Sequence, residues 1–333
     1  MAYDNKFEFF DFRVGGDKVA KDLSAAWKAR HRRWQRFVQG NIKAMEAGKS
    51  IPLGPSATRL IAPPAAAGGS PPLKVVMCSP HPDDEALIGS LPLRLRCECG
   101  AKVTNCAITL GSNPGQRERR LRELEAACGA LGFELRVANP PLGFDHINHD
   151  NRTNHPDDWA AKVRVLSEVL EQEAPDVMVA PHAADLNTTH IGTHYLVVDA
   201  LGDYLSRTGR GPIPFFETEF WHQNPRPNLM VGVSAEDEAI LIMATAEHGD
   251  EVRRNPYHLR HPGRMIENVR LGAEVVGGQG GAAPDFPFAE LYHLAFMSGK
   301  NLVAPRPGGR VIGVTEKINV AELVQAFWPG EGN

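Results

Sequence analysis

The stretch Val75-Val76-Met77-Cys78-Ser79-Pro80-His81-Pro82-Asp83-Asp84-Glu85 joins an apolar run to a turn crowded with ionisable groups. An unbroken run such as Val75 to Cys78 suits the middle of a parallel sheet, where both faces of a strand are covered. Pro80 and Pro82 stop the strand, because proline lacks the N–H that a ladder needs and restricts its own φ and its neighbour's. One imidazole and three carboxylates stand within five residues, and Ala86-Leu87-Ile88 starts an apolar helical pattern behind them. The carboxyl end of a strand is where open α/β sheets bind ligands.

His81 and Asp84 are three residues apart across a turn, so both side chains can converge on one ion. Zn²⁺ accepts imidazole nitrogen and carboxylate oxygen, and a catalytic site needs three protein ligands with a position left for water. Asp83 is placed to take the proton of such a water. A competing reading makes Asp83, Asp84 and Glu85 an acidic helix start facing the positive end of the dipole. It accounts for the acids but not for the strand, the two prolines and the histidine together.

Outward from this turn, apolar strands and helical patterns alternate. Residues 85–97 read as a helix that Pro92 kinks or splits and Gly100 ends; residues 101–110 read as the second strand, with residues 111–115 as its exit loop. Residues 116–131 carry Leu121, Leu124, Ala127, Cys128 and Leu131 at helical spacing, and residues 133–138 are a third strand. Residues 139–154 read as a polar loop containing Asp145, His146, His149 and Asp150. His155-Pro156-Asp157-Asp158 repeats four letters of the main motif, but no apolar strand precedes it, so its acids fit a helix start and no metal is assigned.

Residues 175–182 form another buried strand, followed by Asp185-Leu186-Asn187-Thr188-Thr189-His190-Ile191-Gly192-Thr193-His194. His190 and His194 share one face if a helix starts near Thr188 or Thr189. Beyond them lie an apolar helix (195–205), strands at 215–221 and 228–233, a helix capped by Ser234, loops at 253–258 and 277–281, then a strand (310–314) and a helix (319–327). Tyr257 and His258 are within reach of a pocket but read more simply as structural. The alternation indicates an α/β fold with a mainly parallel sheet and helices on both faces.

At the N-terminus, residues 1–16 read as irregular, with Phe7, Phe9, Phe10 and Phe12 free to dock. Residues 17–48 form a helical pattern with Leu23, Trp27, His31, Trp34, Val38, Ile42 and Met45 on one stripe, and Lys28, Arg30, Arg32, Arg33 and Arg36 around it. The stripe either packs on the main domain or another subunit, or makes a basic amphipathic helix for an anionic partner; the acidic balance of the whole chain favours packing. Residues 50–72, rich in proline, are a linker or strap. The expected division is therefore 1–72, an N-terminal helical extension and linker; 73–300, the main domain; and 301–333, a C-terminal extension.

A formal net charge of -4 argues against a nucleic-acid protein. Five cysteines without a secreted layout, no apolar stretch of about 18 residues and no signal-like start point to a reducing cytoplasm and no membrane span. No G-x-G-x-x-G follows the first strand and no G-x-S-x-G elbow appears, which weakens dinucleotide-binding and serine-hydrolase readings.

Ser79-Pro80-His81-Pro82-Asp83-Asp84-Glu85 resembles the signature of the PIG-L/LmbE-like deacetylases, and the resemblance extends over about residues 72–300. It implies a Rossmann-like fold and a zinc hydrolase that removes acyl groups from amino sugars and their conjugates. Arg120 to Ala127 with Leu131-Gly132 is similar to a second family segment, and the Ala289-Glu290 region to a third, in which the glutamate is structural. By the same resemblance Asp185 matches a family aspartate and His190 the third metal ligand. Asn187 stands where the family often has a histidine that polarises the carbonyl or protonates the amine, and Thr189 where it often has an aspartate. The proton would then return through Asp83, His194 or His182.

The expectation is an N-deacetylase with His81, Asp84 and His190 as ligands of one Zn²⁺, another divalent metal also being compatible. Asp83 is its base, and Asn187 and His194 complete the catalytic set. The substrate expected is a small N-acyl amine, an amino-sugar conjugate; nucleic acid is not expected as a partner, and a homo-oligomer is allowed. The alternatives are a metal-binding scaffold without turnover and an amidase for a non-sugar N-acyl substrate.

Overall fold

The computed structural model describes residues 25–60 and 71–330. The chain divides between Pro52 and Leu53. In the first unit the described residues form one helix, α1 (Ala25–Gly48). Within α1, Trp27 stacks on His31 and Trp34 meets Phe37 edge-on, as the three- and four-residue spacings direct. The expected helix start at residue 17 and the phenylalanines of residues 1–16 lie outside the described residues.

The second unit begins as a strap. Gly54 N–H donates to Ala246, the Ser56 hydroxyl to Glu247, and Leu60 N–H to Gly129. The elements that follow are β1 (Lys74–Ser79), α2 (Asp84–Leu87), α3 (Ser90–Cys99), β2 (Lys102–Ala107), α4 (Arg117–Leu131) and β3 (Glu134–Val137). Next come α5 (His149–Asn154), α6 (Pro156–Glu173), β4 (Val177–Pro181), α7 (Thr188–Thr208), β5 (Ile213–Thr218) and β6 (Leu229–Val233). The chain continues through α8 (Ala235–Ala246), α9 (Gly249–Arg254), α10 (His261–Val275), β7 (Phe288–Ser298), β8 (Asn301–Val303), β9 (Arg310–Ile312) and α11 (Val320–Phe327).

Nine strands make one sheet in the order β3-β2-β1-β4-β5-β7-β6-β9, with β8 on β7. The first five strands in this order are parallel to one another; β7 runs antiparallel between β5 and β6, and β9 is parallel to β6. The apolar run in β1 has the cause the sequence suggested. Val75 and Met77 enter a core with α3, α4 and α8, while Val76 and Cys78 enter another with α6 and α7. Helices cover both faces, and no helix among the described residues is long and apolar enough to cross a membrane.

Several elements differ from expectation. The break in the helix after β1 falls at Ile88–Gly89, and Pro92 sits in the first turn of α3, where a missing N–H costs nothing. The polar stretch before His155 contains α5, started by Asn148, whose side chain accepts from Asn151 N–H. Tyr257 to Leu259 form a 3-10 turn followed by α10, which the sequence reading missed. β7 extends from the Ala289-Glu290 segment into an 11-residue strand. The C-terminal residues are not an appendage: β9 pairs with β6, and Leu323 and Phe327 of α11 are buried in the main core. Each of those side chains adds about 1.5–3 kcal/mol of apolar burial.

Candidate metal centre

Strand order reverses between β1 and β4, and the loops leaving these two strands meet in the crevice so formed. His81 comes from the loop after β1, and His190 from the first turn of α7 after β4. Ser79 and Pro80 accept hydrogen bonds from Ile108 and Thr109, which ties the His81 turn to the chain leaving β2. On the other side Asp185 accepts from Asn187 N–H, and the Asn187 side chain accepts from Thr189 N–H as the cap of α7. Gly192 lets α7 approach this loop layer. A Cβ there would lie 2.5 Å from the Ile147 carbonyl.

His81 Nδ1, Asp84 Oδ2 and His190 Nε2 face one another at 3.3–3.4 Å. A tetrahedral ion with bonds of about 2.0–2.1 Å has ligand–ligand edges of ~3.3 Å, so the three atoms fit such an ion without rearrangement. They are the one such group among the described residues. His190 is fully buried and its Nδ1 has no hydrogen-bond partner, yet Asp185 Oδ1 lies 3.6 Å away. A carboxylate behind a histidine is the usual device for orienting a metal ligand. Burial alone would lower the His190 pKa, but Asp84 and then Asp185 raise it. His81 N–H also donates to Asp84 Oδ2, at 2.8 Å.

Asp83 adopts φ 113°, a left-handed conformation that costs a non-glycine residue about 1–3 kcal/mol. Its own N–H donates to Glu85 Oε2, and its Oδ2 accepts from the Tyr257 hydroxyl at 2.5 Å. The Asp83 side chain makes no helix cap, so the helix-start reading of the acids does not describe it. Burial, and then the Asp84 carboxylate, push its pKa up to about 6 against the pull of His248, Arg120 and Tyr257. Beneath it, Glu85 and His248 form a fully buried pair at 2.7 Å. Arg120 donates to the Pro82 carbonyl. A cleft of about 610 Å³ opens over these groups, lined also by Asn187, Phe220, Trp221, Glu251, Arg254 and Arg260.

His194 is elsewhere. Its Nδ1 donates to the Pro181 carbonyl, it packs against Tyr195 and Phe215, and it lines a different cleft. His182 uses Nδ1 to accept from Ala184 N–H and Nε2 to donate to the His222 carbonyl, so neither atom is free for the reaction. His258 is buried and does not line the cleft, whereas Tyr257 does. Asp157 and Asp158 lie in the first turn of α6. Tyr257, Glu85 and His248 are the residues that sequence reasoning underweighted or missed. Only the aromatic and imidazole side chains beside the Pro256 turn hinted at the first.

The sequence profile described as "PIG-L: GlcNAc-PI de-N-acetylase" matches residues 76–201. The match covers less than half of the chain, and over it the chain is similar to the PIG-L family. Among solved structures, the conserved protein TT1542 from Thermus thermophilus is similar at 19% identity over 66% of this chain and 93% of its own, with a TM-score of 0.50. The A40926 pseudoaglycone deacetylase Dbv21 is similar at 18% identity over 68% of this chain and 98% of its own, with a TM-score of 0.48. The N,N'-diacetylchitobiose deacetylase from Pyrococcus horikoshii matches at 16%, 68%, 84% and 0.47 in the same terms. The first likeness supports the fold. No curated protein sequence matches the chain significantly. The matched segment contains both loops that carry His81, Asp84 and His190; β5 to α11 lie beyond it.

Proposed function

We propose that the chain is a divalent-metal-dependent hydrolase, zinc being the ion expected, that removes an N-acyl group, most simply acetyl, from an amino sugar or its conjugate. One observation carries the reading: three donor atoms from two loops stand 3.3–3.4 Å apart beside a fourth group, Asp83, that is not needed to hold them. The description of the family, a de-N-acetylase, supports the class of bond cleaved.

An ion held by His81, Asp84 and His190 would supply Lewis acidity, polarising an acyl carbonyl and lowering the pKa of a water. Asp83 is the group positioned to accept that water's proton. Tyr257 occupies its Oδ2, which leaves Oδ1 as the oxygen without a donor among the described residues. A carboxyl group with a pKa near 6 can hold the proton and return it to the leaving nitrogen. Asn187 uses its carbonyl oxygen for the helix cap and keeps its NH₂ for the cleft, where it can donate to an oxyanion but supply no proton. Phe220 and Trp221 offer aromatic faces, and Ser112, Asn113 and Gln116 offer hydrogen bonds; together they suit a hydroxylated ring.

The test is acetate release from a panel of N-acetyl amino-sugar conjugates by the zinc-loaded chain, beside Asp83→Asn. Wild type turns over at least one conjugate. Asp83→Asn keeps its metal and loses about 10²–10⁴-fold in kcat. A wild type that holds metal yet cleaves no N-acyl amine overturns the proposal.

A further inference from the structure

The cleft that His194 lines is separate from the metal centre and shares no lining residue with it. It measures about 600 Å³ and lies between α7, β5, β7 and residues 304–308, the loop that joins β8 to β9. Glu217 of β5 is 8% exposed and lines it. No hydrogen-bond donor reaches its carboxylate among the described residues. The imidazole nitrogens beside it are His194 Nδ1 at 3.5 Å and His293 Nε2 at 3.9 Å. Both rings have their donor committed elsewhere. His194 Nδ1 faces the Pro181 carbonyl and His293 Nδ1 faces the Arg226 carbonyl, and each can only donate to such an oxygen. In the neutral ring the remaining Nε2 is an acceptor. Burial supports neutrality: it holds His194 down to about 4 and His293 below its usual range.

The inner wall of the cleft is therefore built of acceptors with no donor to satisfy them. These acceptors face the cleft, so only what occupies the cleft can satisfy them. The rim has the opposite chemistry. Arg226 and Arg306 both line the cleft, and neither forms an ion pair within 4 Å among the described residues, although the Arg226 charge reaches Glu217 and opposes the effect of its burial. Asn228, the remaining large polar group, is satisfied by both backbone groups of Leu294.

We propose that this cleft is a second binding site, for a small molecule with a primary ammonium group at its buried end and an anionic group at its rim. The ammonium meets Glu217 and the acceptor nitrogen of His293, and the anionic group meets Arg226 and Arg306. An ammonium supplies three donors and one charge, which is what the inner wall lacks. Residues 304–308 then serve as the wall of a site.

The probe is O-phosphoethanolamine, titrated calorimetrically into the full chain, with ethylamine and inorganic phosphate as half-probes. The expected result is saturable binding of O-phosphoethanolamine and at least about tenfold weaker binding of either half, since each half makes only one of the two charged contacts. Glu217→Gln, which keeps the shape, weakens binding at least about tenfold, and so does Arg306→Ala at the exposed rim. His190→Ala leaves binding unchanged, which separates this site from the metal centre and from the fate of the deacetylase reading. Should Glu217→Gln fail to fold, Arg226→Ala and Arg306→Ala carry the test. No binding by wild type, equal binding by Glu217→Gln or by the rim variants, or loss of binding in His190→Ala overturns the proposal.

Discussion

α7 carries two buried histidines one turn apart, and they have opposite surroundings. His190 points its Nε2 at His81 and Asp84, with Asp185 behind it. His194 gives its Nδ1 hydrogen to a backbone carbonyl and stands beside Glu217, whose carboxylate nothing satisfies among the described residues. Both regions combine two imidazoles with a carboxylate. In the first, the donor atoms converge to 3.3–3.4 Å; in the second, the nearest separations are 3.5 and 3.9 Å, and the rings serve the backbone. Residue type therefore does not separate a candidate metal centre from an acceptor-lined pocket. What separates them is whether each imidazole still has a free lone pair where the others meet.

The largest break of this comparison is His190→Ala. It removes a corner of the triangle, so metal content falls from about one ion per chain to near none, and activity falls by more than ~10³-fold with the loss of several kcal/mol of Lewis-acid stabilisation. His194→Ala is the control: metal content stays at about one per chain, checked by elemental analysis of both purified proteins. If His194→Ala also strips the metal, the two histidines are not separated as the distances indicate.

Asp185→Asn is a finer cut: it leaves all three donor atoms and weakens the group behind His190, which also accepts from the backbone N–H groups of Asn187, Trp221 and His222. Metal affinity falls by about 10–100-fold, read by competition with a chelator of known affinity. Full retention of affinity would mean that burial alone orients the ring.

The second region has a pH signature of its own. Burial raises Glu217 from an ordinary value of 4.5 to about 7. The folded state then binds more protons than the unfolded state between those values, so stability falls as pH rises through that window. The loss is on the order of 3 kcal/mol. His194, His293 and Arg226 are the titratable and charged groups around the carboxylate. In Glu217→Gln the contribution disappears, so the mutant gains on wild type between pH 5 and pH 8 in denaturant midpoints. Parallel curves for the two proteins would show that Glu217 is solvated.

Much of the first region was legible because its signals are local. The apolar run, the two prolines and the His81/Asp84 spacing lie within one stretch, whereas His190 is singled out by the resemblance of its segment to the family's third ligand, and the Asn187 cap that sets it in the first turn of α7 is a finding of the structure. The groups that hold Asp83 were not legible. His248 meets Glu85 across 163 residues and Tyr257 meets Asp83 across 174, with no periodicity connecting either pair. α10 was hidden because its first turn carries His261 and Arg264 toward the cleft, and only a thin stripe of Met265, Val269 and Ala273 faces the core. The second cleft is a product of tertiary register: Glu217 and His293 are paired residues of antiparallel strands, a relation no local pattern contains.

The smallest expected effect separates two roles that meet in one side chain. Asn187 caps α7 through its oxygen and faces the cleft with its nitrogen. Asn187→Ala loses both, and costs about 1 kcal/mol of stability for the cap together with a fall in kcat. Asn187→Asp keeps a capping oxygen, and at a helix N-terminus its charge is favourable, so its melting point stays at or above wild type. It cannot donate to an oxyanion, so its kcat falls as far as that of the alanine variant, and the loss stays below the roughly 10²–10³-fold seen when a dedicated oxyanion donor is removed. Equal stability losses in both variants would show that the cap contributes nothing. A wild-type kcat in Asn187→Asp would show that the nitrogen never meets the substrate, and the oxyanion would then depend on the three-atom centre alone.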